Sequence, residues 1–250
     1  MPVALPKTVV VLGPKAGDIV QRLRAALPGL TVVEGGTAPS RPYAIITFSP
    51  GPEIAHYPDA DWIHIAGAGA NGLLDRLAEF DLTPPRLITR TVGRMGQQIG
   101  EYALSYILAD AQKHALRRDL QAARNWDPAA GTPDIAADRT ALILGTGGIG
   151  GGVALSLQAI GMAVLGASRS GRIRPPFATA MCLDALPDLP DVDVCIGALP
   201  LTRHTKGLIG ERLFAKLTGA LFINVGRGAT ADMDAVVAAL DTGRLRHAVL

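Results

Sequence analysis

Three groups of residues in this chain have the types and spacing to do chemistry. The first is Gly145, Gly147 and Gly150, in the spacing G-x-G-x-x-G, directly after the apolar run Ala141-Leu142-Ile143-Leu144. Each glycine has its own physical job. Gly145 permits a tight turn, Gly147 lets the backbone come close to a pyrophosphate, and Gly150 lets helix and strand pack. The second group is Ser168-Arg169-Ser170, with Arg172 just after, at the end of the next apolar run. The third is Arg227, held between Gly226 and Gly228.

The elements around them set the reading. Val153, Ala154, Leu157 and Ile160 recur near helical spacing, and Met162 to Ala167 reads as a second buried strand. A glycine-rich turn can serve packing alone, but here the strand–turn–helix–strand context is complete. That context seats phosphates on the unpaired N–H groups of a helix start and predicts a dinucleotide site. Folds that bind NAD place Asp or Glu about 20 residues beyond the glycines, on the ribose 2′-hydroxyl. Ser168-Arg169-Ser170 stands there instead. A guanidinium and hydroxyls suit a 2′-phosphate, which favours NADP(H) and leaves NAD(H) possible. A solvated basic loop is the plainer alternative. The uncharged stretch from Thr140 to Ser168 is long enough for a membrane helix, but its eight glycines argue against one.

Charge and composition narrow the class. The chain has 250 residues, 48% of them hydrophobic, and a net charge of +2. Two α/β domains fit, and no basic run marks a nucleic-acid surface. Cys182 and Cys195 have no metal-ligand spacing and read as buried reduced thiols of a cytoplasmic protein. The N-terminal MPVALPKTVVVLG carries no signal-peptide pattern.

Along the chain, Thr8–Leu12, Leu30–Val33, Ala44–Phe48, Asp61–Ala66 and Arg86–Thr89 read as strands, with helices over Asp18–Leu27 and Asn71–Phe80. Residues 13–17 resemble a phosphate loop only superficially and read as an ordinary turn. Gly67-Ala68-Gly69-Ala70-Asn71, between a strand and a helix, is either a helix cap or a seat for a carboxylate. Residues 97–124 carry sustained helical patterning and predict one long connector helix, which puts the boundary near residue 91. Strands follow at Asp193–Ala198 and Ala220–Val225, and helices at Glu211–Leu217 and Asp232–Leu240. Leu199-Pro200-Leu201-Thr202 and Gly226-Arg227-Gly228 then lie at strand carboxyl ends, where doubly wound folds bind ligands.

Several segments together resemble the D-2-hydroxyacid dehydrogenase family, in particular the glyoxylate/hydroxypyruvate reductase branch that prefers NADPH. They are DWIHIAGAGANGLL, GEYALSYILA, LILGTGGIG, SRS, ALPLTRHTKGLI and LFINVGRGATADMDAVVAALDTGRL, in family order over nearly the whole chain. The resemblance implies a Rossmann-type doubly wound parallel sheet in residues 92–250 and a smaller flavodoxin-like α/β substrate domain in residues 1–91. It implies that Ala68, Gly69 and Ala70 offer N–H groups to the substrate carboxylate. Gly148 and Ile149 would contact the pyrophosphate, and Ser168, Arg169 and Ser170 the 2′-phosphate. Leu199, Pro200, Thr205, Val225 and Gly226 would line the cofactor groove. Arg227 would be the catalytic arginine, binding the carboxylate and polarising the keto oxygen. The activity implied is NADPH-dependent reduction of a small 2-keto acid to the D-2-hydroxy acid, in a cytoplasmic homodimer. Tyr102, Tyr106 and Trp126 are its candidate interface aromatics, unless they pack within their own subunit.

One part of the family pattern is missing. The family's glutamate lies in a D-V-F-x-x-E-P-L-P segment and its histidine in a P-H-I motif, and neither occurs here. His56, His64, His114, His204 and His247 are poor substitutes. The expectation is that the 250 residues are part of a longer protein. The competing class is a dinucleotide-binding homologue without chemistry, a sensor or corepressor.

Overall fold

The computed structural model of the chain describes residues 5–185, Leu189 and residues 191–250. They divide into two compact units, Met1–Gly93 and Arg94–Leu250. In the first, β1 (Thr8–Leu12) leads through α1 (Ala16–Ala26) to β2 (Thr31–Glu34) and β3 (Tyr43–Thr47), followed by β4 (Trp62–Ile65), α2 (Asn71–Glu79) and β5 (Leu87–Arg90). These strands pair in parallel in the order β2-β1-β3-β4-β5, which is the flavodoxin-like order. Both faces are covered. Val10, Leu12, Ile45 and Ile63 pack with Leu73 and Leu77 of α2 on one. Val9, Val11 and Ala44 pack with Ala16 and Val20 of α1 on the other. Burial on both faces is why β1 and β3 are continuous apolar runs instead of alternating ones.

The second unit holds α3 (Met95–Ala111), α4 (His114–Ala122), β6 (Thr140–Leu144), α5 (Gly148–Gln158), β7 (Ala163–Ser168) and β8 (Thr179–Cys182). β9 (Val194–Gly197), α6 (Glu211–Phe214), β10 (Ala220–Asn224), α7 (Met233–Asp241) and β11 (Leu245–Val249) complete it. Its parallel sheet runs β11-β10-β9-β6-β7-β8, the Rossmann order, with the strand order reversing between β6 and β9. That reversal opens a crevice at the carboxyl ends of those two strands.

One expectation is corrected. The single helix over residues 97–124 is two helices, broken at Lys113, whose φ is +53°. Periodic burial explains the break. Gly100, Ala103, Ile107 and Ala111 face the core at a spacing of three to four residues, whereas α4 buries none. With no core face to hold it, the chain is free to turn. The structure also adds β8, an edge strand where the sequence predicts no element. It is short and only half buried, so it carries no strong apolar signal.

α3 lies close against α5 because glycines line the contact. A Cβ on Gly96 would sit 2.8 Å from the Gly148 carbonyl oxygen, and one on Gly152 would run into the Gly96 backbone. Near the end of α3, Asp110 joins Arg139 at 2.6 Å and Arg246 of β11 at 2.7 Å. Burial alone would push the Asp110 carboxyl up, but the guanidiniums of Arg246 and Arg139 outweigh it and hold it below the usual carboxylate range. Cys195 is buried, and burial pushes its thiol up to about 12, so it stays protonated and inert. Among the described residues no helix is long and apolar enough to cross a membrane.

Candidate functional site

The glycines of the turn after β6 separate into two kinds. Gly145 has φ +109°, and a Cβ there would lie 2.7 Å from the Ala198 carbonyl oxygen at the end of β9. A Cβ on Gly150 would run into the Gly145 carbonyl oxygen and press on Ile143 of β6. The fold itself demands these two. Gly147 and Gly148 are different. Nothing lies within 4 Å of a Cβ at either position, and Gly147 has a φ of −82°, open to any residue. Protein packing gives no reason for glycine there. Free space on that side is what the approach of a phosphate needs.

A cleft of about 730 Å³ adjoins the turn, lined by Gly145, Gly147, Ser168, Arg169, Ser170, Leu199, Pro200 and Thr205. Gly148 and Ile149 stand in the first turn of α5. Its N-cap is Gly147, with no side chain to satisfy the first N–H groups. By contrast α7 caps itself, Asp232 accepting from the N–H groups of Asp234 and Ala235. Thr202 of the Leu199–Thr202 loop and His204 also line the cleft, as do Thr146, Arg174, Leu183, Asp184 and Leu208, which were not singled out from the sequence. Thr146 is the open position of the glycine motif. Leu183 and Asp184 follow β8, the strand that was missed.

At the end of β7 the Ser168 hydroxyl is buried and has no hydrogen-bond partner. An unsatisfied buried hydroxyl costs about 1–3 kcal/mol, a cost that an arriving acceptor would remove. Arg169, Arg172 and Arg174 make no ion pair among the described residues. The residues present therefore fit a nucleotide carrying a 2′-phosphate. Across the cleft, the Thr205 hydroxyl donates to the Pro200 carbonyl at 2.6 Å and accepts from the Thr202 N–H at 2.8 Å, which fixes that loop.

On the neighbouring strand end, Val225, Gly226 and Arg227 follow β10 but do not line that cleft. A Cβ on Gly226 would lie 2.8 Å from the Leu199 carbonyl oxygen, so glycine lets the two loops meet. The Arg227 carbonyl accepts from the Thr230 N–H at 2.8 Å and the Thr230 hydroxyl at 2.7 Å. It also accepts from the Asn224 amide at 3.3 Å, while the Asn224 carbonyl oxygen holds the Gly226 N–H at 3.1 Å. The backbone is pinned while, among the described residues, the exposed guanidinium bonds only to the Gly226 carbonyl, at 3.3 Å. Asn224 and Thr230 thus fix the backbone at Arg227, and no spacing rule marks them.

In the first unit, residues 67–70 link β4 to α2, whose N-cap, Ala70, makes no side-chain cap. The Phe48 ring covers Gly67, its Cε2 3.2 Å from where a Cβ would be, yet the ring is 66% exposed.

Comparison with known proteins completes the description. Residues 104–250 match the model of the D-isomer specific 2-hydroxyacid dehydrogenase NAD binding domain. The chain belongs to this family. It is an oxidoreductase of the D-2-hydroxyacid dehydrogenase type, and its likeness runs to the glyoxylate/hydroxypyruvate reductase branch. It is 37% identical over 223 residues to an uncharacterised Streptomyces coelicolor protein, covering 88% of this chain and 78% of that one. It is 30% identical over 240 residues to glyoxylate/hydroxypyruvate reductase A of Klebsiella pneumoniae strain 342, covering 92% of this chain and 75% of the relative. Among solved structures it is similar to an NADPH-dependent glyoxylate/hydroxypyruvate reductase of Sinorhizobium meliloti in complex with NADP and sulfate. That likeness has a TM-score of 0.80 at 26% identity, covering 97% of this chain and 80% of the other. Family membership accounts for the two parallel sheets and for the order of the glycine turn, the SRS segment and the arginine turn along the chain.

Proposed function

We propose that the chain binds NADPH in preference to NADH and reduces a small 2-keto acid of the glyoxylate or hydroxypyruvate kind to the D-2-hydroxy acid. The observation that carries this reading is the buried, unpartnered Ser168 hydroxyl beside the unpaired Arg169, where an NAD-specific fold keeps an acid. The Klebsiella and Sinorhizobium relatives, named for those two keto acids, support it.

The first-turn N–H groups of α5, with Gly145, Gly147, Gly148, Ile149 and Gly150 around them, would hold the pyrophosphate. Ser168, Arg169 and Ser170 would hold the 2′-phosphate, and Leu199, Pro200, Thr205, Val225 and Gly226 would bound the rest of the groove. Bound NADPH supplies the hydride. The residues of the chain supply binding and charge. Ala68, Gly69 and Ala70 present N–H groups to the substrate carboxylate. Arg227 adds a guanidinium with no acid of its own, which takes up the negative charge that builds on the keto oxygen. The proton for that oxygen is assigned to no histidine of these 250 residues. At His204, the histidine of the cleft, Nε2 accepts from Arg203 Nε at 3.1 Å.

The reading includes a cytoplasmic homodimer. Trp126 is 90% exposed, and a cavity of about 650 Å³ lined by Leu120, Trp126, Pro128 and Pro133 lies beside it. Exposed aromatics of this kind suit an interface core. Light scattering giving a monomer mass at micromolar concentration would remove the dimer from the reading.

The test of function is a fluorescence titration with NADPH and NADH, followed by absorbance assays with glyoxylate and hydroxypyruvate. Tighter NADPH binding with turnover of either keto acid supports the reading. Tight NADPH binding without turnover turns it toward a sensor or corepressor.

A further inference from the structure

We propose that Arg90 is a positioning residue for substrate binding: it holds the Ala68–Gly69 peptide so that the Gly69 N–H is aimed, and strengthened, toward the substrate carboxylate. The proposal rests on the reading of residues 67–70 given above. β4 and β5 run in register, with Ile65 opposite Arg90, so Arg90 stands level with the point where the chain leaves β4 for the loop. From there its guanidinium donates to the Ala68 carbonyl oxygen at 2.6 Å.

The consequence comes from peptide geometry. The Ala68 carbonyl and the Gly69 N–H belong to one planar trans unit, so the oxygen and the hydrogen point in opposite directions. Fixing the oxygen therefore fixes the hydrogen. A cation bonded at the oxygen also draws electron density from the amide, which makes its N–H a stronger donor. The side chains of residues 68–70, two methyl groups and a hydrogen, cannot do either job. Among the described residues Arg90 has no other partner, so an acid does not compete for it. The bond is exposed, and its contribution to folding stability is correspondingly small. An arginine that adds little to the fold but grips a single carbonyl of the proposed carboxylate loop is placed to serve binding.

The test uses the full protein, saturated with NADPH, and oxalate as a planar carboxylate probe of substrate size. Arg90→Ala is expected to weaken oxalate binding by roughly tenfold, as the Gly69 N–H loses its aim and its added strength as a donor. The Gly69 amide nitrogen resonance should move upfield, while NADPH affinity and melting temperature stay unchanged. Arg90→Lys should restore most of the oxalate affinity, because one donor reaches the carbonyl, and Arg90→Met should not. Equal oxalate binding by Arg90→Ala and the unsubstituted protein, with the Gly69 resonance unmoved, overturns the proposal. So does a parallel fall in melting temperature and NADPH affinity, which marks a structural role. If the unsubstituted protein takes no oxalate, the reading of the loop fails and the proposal falls with it.

Discussion

The turn after β1 and the turn after β6 share a backbone plan. Each follows a central parallel strand, passes through a glycine at positive φ (+105° at Gly13, +109° at Gly145), and starts a helix three residues on. Their surroundings differ. The strand beside β1 ends in Glu34, whose carboxylate lies 3.5 Å from where a Gly17 Cβ would be. The strand beside β6 ends in Ser168, with a free hydroxyl and Arg169 next to it. Pro14 also removes one N–H from the first turn, whereas the second has Thr146 there. A carboxylate at the mouth repels phosphates, and a guanidinium draws them. A positive-φ glycine thus marks a path of the backbone, and the neighbouring strand end decides what the turn can hold.

The largest expected effect comes from glycine demanded by packing. Gly150→Ala puts a methyl group into the Gly145 carbonyl, backbone against backbone, with no flexible side chain to yield. It should cost at least about 3 kcal/mol, at the upper end for overpacking, read as a drop in melting temperature or failure to fold. An unchanged melting temperature would show that α5 can slide away from β6, and the division of the glycines into two kinds would be lost.

Next in size is the strand end itself. Arg169→Ala should weaken NADPH binding by about 1.5–3 kcal/mol, the worth of hydrogen bonds to a charged group, and leave NADH binding nearly unchanged. Glu34→Ala in the other turn should alter neither. Equal loss for both cofactors in a fluorescence titration would mean that Arg169 supports the loop instead of binding the 2′-phosphate.

How much of this was legible in the sequence follows the same divide. Gly145, Gly147 and Gly150, and the swap of an acid for Ser168-Arg169-Ser170, could be read because their spacing is local, even though the need for Gly145 is set by the distant Ala198 carbonyl. The apolar strands were read because burial on both faces writes a continuous run. What escaped is held by contacts distant in sequence. Asp110 reaches Arg246 across 136 positions, and Arg90 reaches Ala68 across 22. The break at Lys113 escaped for another reason. Leu116 and Leu120 continue an apolar spacing beyond Ala111, but α4 has nothing to bury them against, and spacing alone does not report that.

A smaller effect separates fold from binding at a single position. Gly147→Ala meets no protein atom within 4 Å, so melting should shift by less than about 0.5 kcal/mol. The added methyl group takes the space left for the pyrophosphate, and NADPH and NADH should both bind about tenfold more weakly. Unaltered affinity would place the phosphates elsewhere on α5.

The smallest effect belongs to the first turn and completes the comparison. Gly17 lies in the first turn of α1 without positive φ, and its Cβ would meet only the Glu34 carboxylate at ordinary contact distance. Glycine there loses more freedom on folding than alanine and gains nothing that the structure needs. Gly17→Ala should therefore stabilise the protein by about 0.5 kcal/mol, raising the melting temperature slightly. NADPH affinity should stay the same, because the turn that Glu34 faces holds no phosphate. A loss of stability would show that a ligand or another part of the chain approaches Gly17 as closely as Gly145 approaches Gly150. A loss of NADPH affinity would show that the two turns are not chemically opposed, and that Glu34 does not keep anions from the first.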